Sequence, residues 1–251
     1  MVISGGDGFQ LKPKDLLYIG ERLLKIPHIK YVRIASKGLS VLPMKILGDA
    51  AWTDALVQLQ TLATAQFKHL CLHTHINHPN EITPLTEQAM RVLHSHHITV
   101  RNQSVLLAGV NDDADTFKTL IHSLSDLQII PYYLYHHDLV KGVEDLRTPL
   151  SVSLDMASAI RGHTAGFTTP LVIADLPGGG GKQDVHNHLY YNRNTGVSVW
   201  ASALRPDDLF YHYDPLHSLA PNVQEAWQDE TQRQRMITQA TEQAELDRAR
   251  N

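Results

Sequence analysis

The segment Leu176-Pro177-Gly178-Gly179-Gly180-Gly181-Lys182 places four consecutive glycines directly ahead of a lysine, after an apolar run that ends in Asp175. Glycine lets backbone amides approach an anion closely and takes positive φ without steric cost, so the run suits a phosphate cradle. It is not the nucleotide-binding GxxxxGK loop followed by Ser or Thr, which needs glycine where Leu176 stands and a hydroxyl residue where Gln183 stands. A lysine beside a glycine-rich phosphate site is what pyridoxal 5'-phosphate requires: an amine that becomes nucleophilic when desolvated, next to an anchor for the cofactor's phosphate. Taken alone, the glycines also read as a flexible surface loop.

Asp138 and Asp175 each follow an apolar run, so both carboxylates are placed to reach one rim. Two acids converging on a pocket suit an ammonium-bearing substrate such as lysine. A helix N-cap or a salt bridge to Arg147 is the plain alternative for either one. In His73-Thr74-His75-Ile76-Asn77-His78 two histidines at i and i+2 face one way along a strand. No carboxylate or cysteine nearby completes a zinc site, and polar contact with a small ligand is the preferred reading, so no metal ligand is assigned. Gly5-Gly6-Asp7 is a glycine turn carrying an acid, individually nonspecific.

The elements that must position these residues alternate strand and helix. Short β-branched runs occur at Val2 to Ser4, Tyr31 to Ala35, His69 to His73, Ile98 to Arg101, Ile129 to Leu134 and Leu171 to Ala174. Helical spacing of apolar residues marks Lys14 to Lys25, Thr86 to His94, Ala114 to Leu124 and Leu154 to Arg161. This βαβ rhythm predicts parallel strands with crossover helices, and in such sheets the C-terminal strand ends form the active-site rim. The polar residues collect at those ends. A buried parallel strand that opens at residue 2 reads either as a naturally short variant or, preferably, as a barrel whose first βα unit is missing. Beyond Lys182, His188 to Ala201 reads as a hairpin turning at Asn194-Thr195-Gly196, followed by a Pro-punctuated loop to Pro221. Val223 to Arg250 reads as a polar helix that is solvent-exposed or packed on a partner subunit.

At 251 residues and a formal charge of −4, the chain has the length of one large α/β domain and no basic field for nucleic acid. No apolar run approaches the roughly 18 residues of a membrane span, and the N-terminus lacks signal-peptide character, so a soluble cytoplasmic protein is expected. Cys71 is the only cysteine, which excludes an intrachain disulfide and a cysteine-based metal cage.

Together these residues resemble the lysine 2,3-aminomutase family of radical S-adenosylmethionine enzymes from Met1 to about Lys182. The resemblance is carried by Val2-Ile3-Ser4-Gly5-Gly6-Asp7, Ile26-Pro27-His28, Arg33-Ile34, Val41-Leu42-Pro43, Thr74 to Thr83, Asn102 to Leu107, Gly109 to Asp112, Pro131-Tyr132-Tyr133, Arg147-Thr148-Pro149, Arg161 to Thr164 and Pro177 to Lys182. It implies an isomerase with a partial (β/α) TIM-like barrel of the radical type over residues 1–182, lacking its first βα unit, and a C-terminal extension over 183–251 with a hairpin and an exposed helix. Gly5, Gly6 and Asp7 match the glycine motif at the methionyl group of S-adenosylmethionine, and His75 and Gln103 match positions that help bind that cofactor. Lys182 matches the lysine that holds pyridoxal 5'-phosphate, next to Gly178, Gly179, Gly180 and Gly181, with Tyr135 near the pyridoxal ring. Asp138 and Asp175 match the acids that hold the ammonium of a lysine substrate.

The resemblance also implies a 4Fe-4S cluster, whose CxxxCxxC motif lies upstream of the matched region together with arginines for the cofactor phosphate and the substrate carboxylate. A chain of this sequence is therefore expected to be N-terminally truncated and inactive alone, with a homo-oligomer and no nucleic-acid or membrane partner implied. The alternatives are a non-catalytic remnant binding pyridoxal phosphate or an amino acid, and an aminomutase for another amino acid. Relatives that make β-lysine for a translation factor typically lack the glycine run, which counts against that third reading.

Overall fold

The computed structural model describes residues 1–250. Its strands are β1 (Val2–Ile3), β2 (Tyr31–Ala35), β3 (His69–His75), β4 (Thr99–Val105), β5 (Ile130–Tyr135), β6 (Leu171–Leu176), β7 (Gly181–Asp184), β8 (His188–Asn192), β9 (Val197–Ser202) and β10 (Arg205–Tyr213). The helices are α1 (Pro13–Leu24), α2 (Gly38–Val41), α3 (Met44–Gly48), α4 (Ala50–Ala65), α5 (Pro84–Ser95), α6 (Ala114–Asp126), α7 (Leu150–Ala159), α8 (Pro221–Gln228) and α9 (Glu230–Arg250). Strands β1 to β7 follow one another in a seven-stranded sheet, and β10-β9-β8 form a separate three-stranded sheet. The described residues divide into two compact units, 1–104 with 118–132, and 105–117 with 133–250.

In the first unit β1 to β4 pair in parallel and in sequence order, the α/β topology that the alternating pattern predicts. Its helices are set by local chemistry. Pro13 opens α1, Asp49 caps α4 by accepting the Trp52 N–H at 3.1 Å, and Thr83 and Thr86 form a reciprocal cap on α5. Leu16, Leu24, Ile34, Trp52, Leu56, Leu59 and Leu72 are buried in its core. A Cβ on Gly20 of α1 would lie 2.5 Å from Leu59 of α4, so the glycine sets how closely those two helices approach.

In the second unit β5 and β6 are parallel, and β6 then turns back into antiparallel β7. The glycine run is thus the turn of a hairpin rather than an open loop, with Lys182 on the returning strand. The predicted hairpin is present as β8–β9, but the Pro-punctuated segment read as loop contains a third strand, β10. Its register shifts between Arg205 and Leu209, which accommodates the Arg-Pro-Asp-Asp stretch that had read as loop. The predicted polar helix is two helices divided at Asp229, and it is not simply solvent-exposed. Val223, Trp227, Met236, Ile237, Ala240 and Ala244 pack with Val197 and Val199 of β9. Trp227 also donates to the Thr195 carbonyl at 2.9 Å, which ties α8 to the β8–β9 turn.

Candidate functional site

The residues expected to carry chemistry form one cluster within each unit. In the first unit Asp7 accepts the Phe9 N–H at 2.8 Å, the Ser36 hydroxyl at 2.5 Å and the Lys37 N–H at 3.1 Å. Its carboxylate therefore ties the end of β1 to the end of β2. Gly5 and Gly6 are exposed and face open space, with Gly6 at φ 76°. His75 of β3 lies directly across from Gln103 of β4, so the structure brings these two predicted residues together. The His75 ring is 3.0 Å from Asn77 Oδ1, and burial, followed by the Lys37 charge, pulls its pKa below the usual histidine range.

Three residues in this cluster were not singled out from the sequence. The Lys37 ammonium donates to the His75 carbonyl at 2.8 Å and pairs with Glu81 at 2.5 Å. Glu81 accepts the Asn77 and His78 N–H groups at 2.7 and 3.1 Å. Buried Asn102 accepts the Ile76 N–H at 2.7 Å and donates back to the Ile76 carbonyl at 3.0 Å, clamping the turn after His75 from both sides. In sequence Glu81 and Asn102 stand at polar strand ends and within segments that carry the resemblance, without a role of their own.

In the second unit Lys182 and Asp175 are direct cross-strand partners on β7 and β6, and their side chains form an ion pair. The Lys182 ammonium also lies over the Tyr135 ring, 5.0 Å from its centroid. Burial alone would pull the Lys182 pKa down, but Asp175 and Tyr135 outweigh it and hold the amine above the usual lysine range. Asp138, in the segment after β5, has its pKa raised, first by burial and then by the Asp175 charge. Lys182, Asp175, Asp138 and Tyr135 therefore share one electrostatic neighbourhood. Arg147 joins neither aspartate: it pairs with Glu144 at 2.6 Å and donates to the Tyr213 carbonyl.

The glycine turn is stiffer than its composition suggests. Gly178, Gly179 and Gly181 have φ of 75°, 93° and 71°, conformations that other residues rarely adopt. Gly180 is buried, and a Cβ there would lie 2.7 Å from both Leu176 and Phe210. Arg205, which no sequence signal marked, donates to the Gly178 carbonyl at 3.0 Å and pairs with Asp208.

No protein-family model matches the sequence. Individual relatives do. The chain is 36% identical over 223 residues to the L-lysine 2,3-aminomutase of Acetoanaerobium sticklandii, which covers 85% of this chain and 51% of that protein. It is 40% identical over 185 residues to the L-lysine 2,3-aminomutase of Clostridium subterminale, covering 74% of this chain and 42% of the relative. The chain is a partial homologue of the lysine 2,3-aminomutases. The glutamate 2,3-aminomutase of Clostridioides difficile is also similar, at 32% over 182 residues, 72% of this chain and 41% of that protein. The chain thus spans about half the length of these aminomutases, or somewhat less.

Which cofactors of a radical aminomutase these residues can hold differs by cofactor. An exposed lysine amine over an aromatic ring, beside a glycine turn with an arginine on it, fits pyridoxal phosphate. An iron-sulfur cluster does not fit the residues present, because it takes several thiolates. Cys71 is buried within β3, with its thiol pushed up to about 11 by burial, and the described residues contain no group of three or more potential metal ligands. No helix among the described residues is long and apolar enough to cross a membrane.

Proposed function

We propose that this chain is the pyridoxal-phosphate and amino-acid-holding part of a lysine 2,3-aminomutase, an isomerase that moves the amino group of L-lysine from C2 to C3. The observation that carries the proposal is the grouping of Lys182, Asp175, Asp138 and Tyr135. Pyridoxal phosphate, when bound, supplies the conjugated ring that carries electron density while an amino group migrates. Lys182 is the amine that would hold its aldehyde, Tyr135 flanks that amine, and the Gly178-to-Gly181 turn with Arg205 offers amides and a guanidinium to its phosphate.

Asp175 has two duties in this reading. It holds the Lys182 ammonium in the structure described, which keeps the side chain over Tyr135. Were Lys182 committed to the cofactor, Asp175 and Asp138 would be left as two neighbouring carboxylates, of which Asp138 has its pKa raised first by burial and then by the Asp175 charge. A substrate ammonium relieves that repulsion and a substrate carboxylate worsens it, so the pair favours lysine over glutamate. In the first unit Gly5 and Gly6 offer open backbone, and the facing His75 and Gln103 offer polar side chains, for S-adenosylmethionine. Asp7 serves there by shaping the turn. Residues 1–182 form the partial barrel in this reading, and 183–251 a C-terminal extension that adds Arg205 to the cofactor site.

The test is borohydride trapping of pyridoxal phosphate on the chain, read as the mass of the Lys182 peptide, followed by calorimetry with lysine and with glutamate. Wild type should carry the reduced cofactor on Lys182, Lys182→Ala should carry none at this position, and Asp138→Asn with Asp175→Asn should weaken lysine binding about tenfold or more. Equal labelling of other lysines with none at Lys182 would sink the reading. The lack of thiolate ligands among the described residues favours a second possibility, binding without turnover. Lysine that binds but stays unconverted in the presence of S-adenosylmethionine and reductant would support it.

A further inference from the structure

One face of the first unit's sheet carries two arginines with histidines between them. Strand alternation puts Tyr31 and Arg33 of β2, His69, Cys71 and His73 of β3, and Arg101 of β4 on the same side. The register pairs Arg33 with Cys71 and His73 with Arg101, so the two arginines flank β3. With Tyr132 of β5 they line a cavity of about 280 Å³, close to the lower end of the roughly 300–1,000 Å³ typical of small-molecule sites.

The cavity lacks the counter-charge that a structural role would supply. Neither Arg33 nor Arg101 forms an ion pair among the described residues, and both are only half exposed. The Arg101 Nε and the His69 Nε2 are buried without a hydrogen-bond partner. Arg101 instead lies over the Tyr132 ring, 5.9 Å from its centroid. The charge is felt by the neighbours: burial, then Arg33 and Arg101, hold His73 down at about 4. Leaving guanidiniums half-buried and uncompensated is costly, and an anion in the cavity removes that cost.

We propose that this cavity is an anion site for a small phosphate-bearing molecule, held by the Arg33 and Arg101 guanidiniums with the His69 Nε2 as a further hydrogen-bond partner. Two guanidiniums from strands on either side of β3 match the several oxygens of a tetrahedral phosphate, to which arginine binds with charge-assisted, often bidentate, hydrogen bonds. The site is independent of the Lys182 reading, since all its residues belong to the first unit. Free phosphate and a phosphate monoester share this chemistry, and the Tyr31, Cys71 and Tyr132 walls leave room for a small flat organic group in the ester.

The experiment is calorimetric titration of the 251-residue chain with inorganic phosphate and with phenyl phosphate, in wild type, Arg101→Gln, Arg33→Gln and Lys182→Ala. Wild type and Lys182→Ala should bind equally, and either arginine variant should bind about tenfold or more weakly while keeping the wild-type circular dichroism spectrum. Tighter binding of phenyl phosphate identifies an ester as the occupant, and equal or weaker binding identifies the free ion. No phosphate binding in wild type, or binding that both folded arginine variants retain in full, overturns the proposal. A lost response in Lys182→Ala alone would also overturn it, by moving the anion to the glycine turn.

Discussion

The polar strand ends of the two units look alike in sequence and differ in what their side chains do. In the first unit Asp7, Glu81 and Asn102 make most of their hydrogen bonds with backbone groups of nearby residues, shaping the turns that follow β1 and β3. In the second unit Lys182, Asp175 and Asp138 meet one another near solvent, and the Lys182–Asp175 pair holds no loop in place. A polar residue at the end of a barrel strand therefore points to a ligand only when its bonding capacity is not committed to the backbone. Where that capacity is already engaged, the residue is part of the frame that presents its neighbours.

Substitutions separate the two kinds of residue. The largest effect is expected from Asn102→Ala, which leaves the N–H of buried Ile76 without its partner and the Ile76 carbonyl with Ser104 alone, and should cost roughly 2–4 kcal/mol in urea denaturation. Acidification comes next. Burial, with the Arg147 charge, depresses the His212 pKa to about 3, and burial with Arg33 and Arg101 depresses that of His73 to about 4. Below the ordinary histidine value near 6.5 the unfolded chain takes up protons that the folded chain refuses, so stability present at pH 7 is lost as pH falls toward the folded values. At pH 5 that is about 2 kcal/mol for each of these histidines. The urea midpoint at pH 5 should fall accordingly, and His212→Leu should flatten the dependence. Unchanged midpoints between pH 7 and 5 would mean that neither ring is held neutral.

Asp7→Ala removes a cap and the link from β1 to β2, and about 1–2 kcal/mol should be lost. The smallest effect on stability is expected from Lys182→Met. Its pair with Asp175 is exposed on both sides, and such pairs contribute about 0–1 kcal/mol. The contrast sharpens if Lys182→Met abolishes cofactor trapping while barely moving the urea midpoint. It breaks if the midpoint falls as far as it does for Asn102→Ala.

Much of the α/β pattern could be read from the sequence because short apolar runs and amphipathic helices leave clear marks: β2, β3, β5, β6, α1 and α5 begin and end close to their predicted limits. Helix α4 left none. Its sequence intersperses Thr, Gln and Ala among the apolar positions, although Trp52, Ala55, Leu56, Leu59 and Ala63 are all buried. The α9 packing is equally hidden, because its buried anchors Ala240 and Ala244 are too small to register as an apolar stripe. At the candidate site, Lys182 and its aspartates stood out by type and position. The Lys182–Asp175 pairing did not, because it depends on the β6–β7 register that the glycine turn fixes. Arg101 and Arg33 lie on β4 and β2, 68 positions apart in the chain, and only the sheet brings them to one cavity.

Arg205 and Phe210 of β10 hold the glycine turn from the far side, one on the Gly178 carbonyl and the other against Gly180. The position of the lysine thus depends on residues that follow it by more than twenty places. For protein engineering, a graft that joins the first 182 residues to a foreign tail would sever this brace and let the amine wander, even with every residue around Lys182 preserved. A transplant that keeps the lysine in register must carry β10 along as its counterpart.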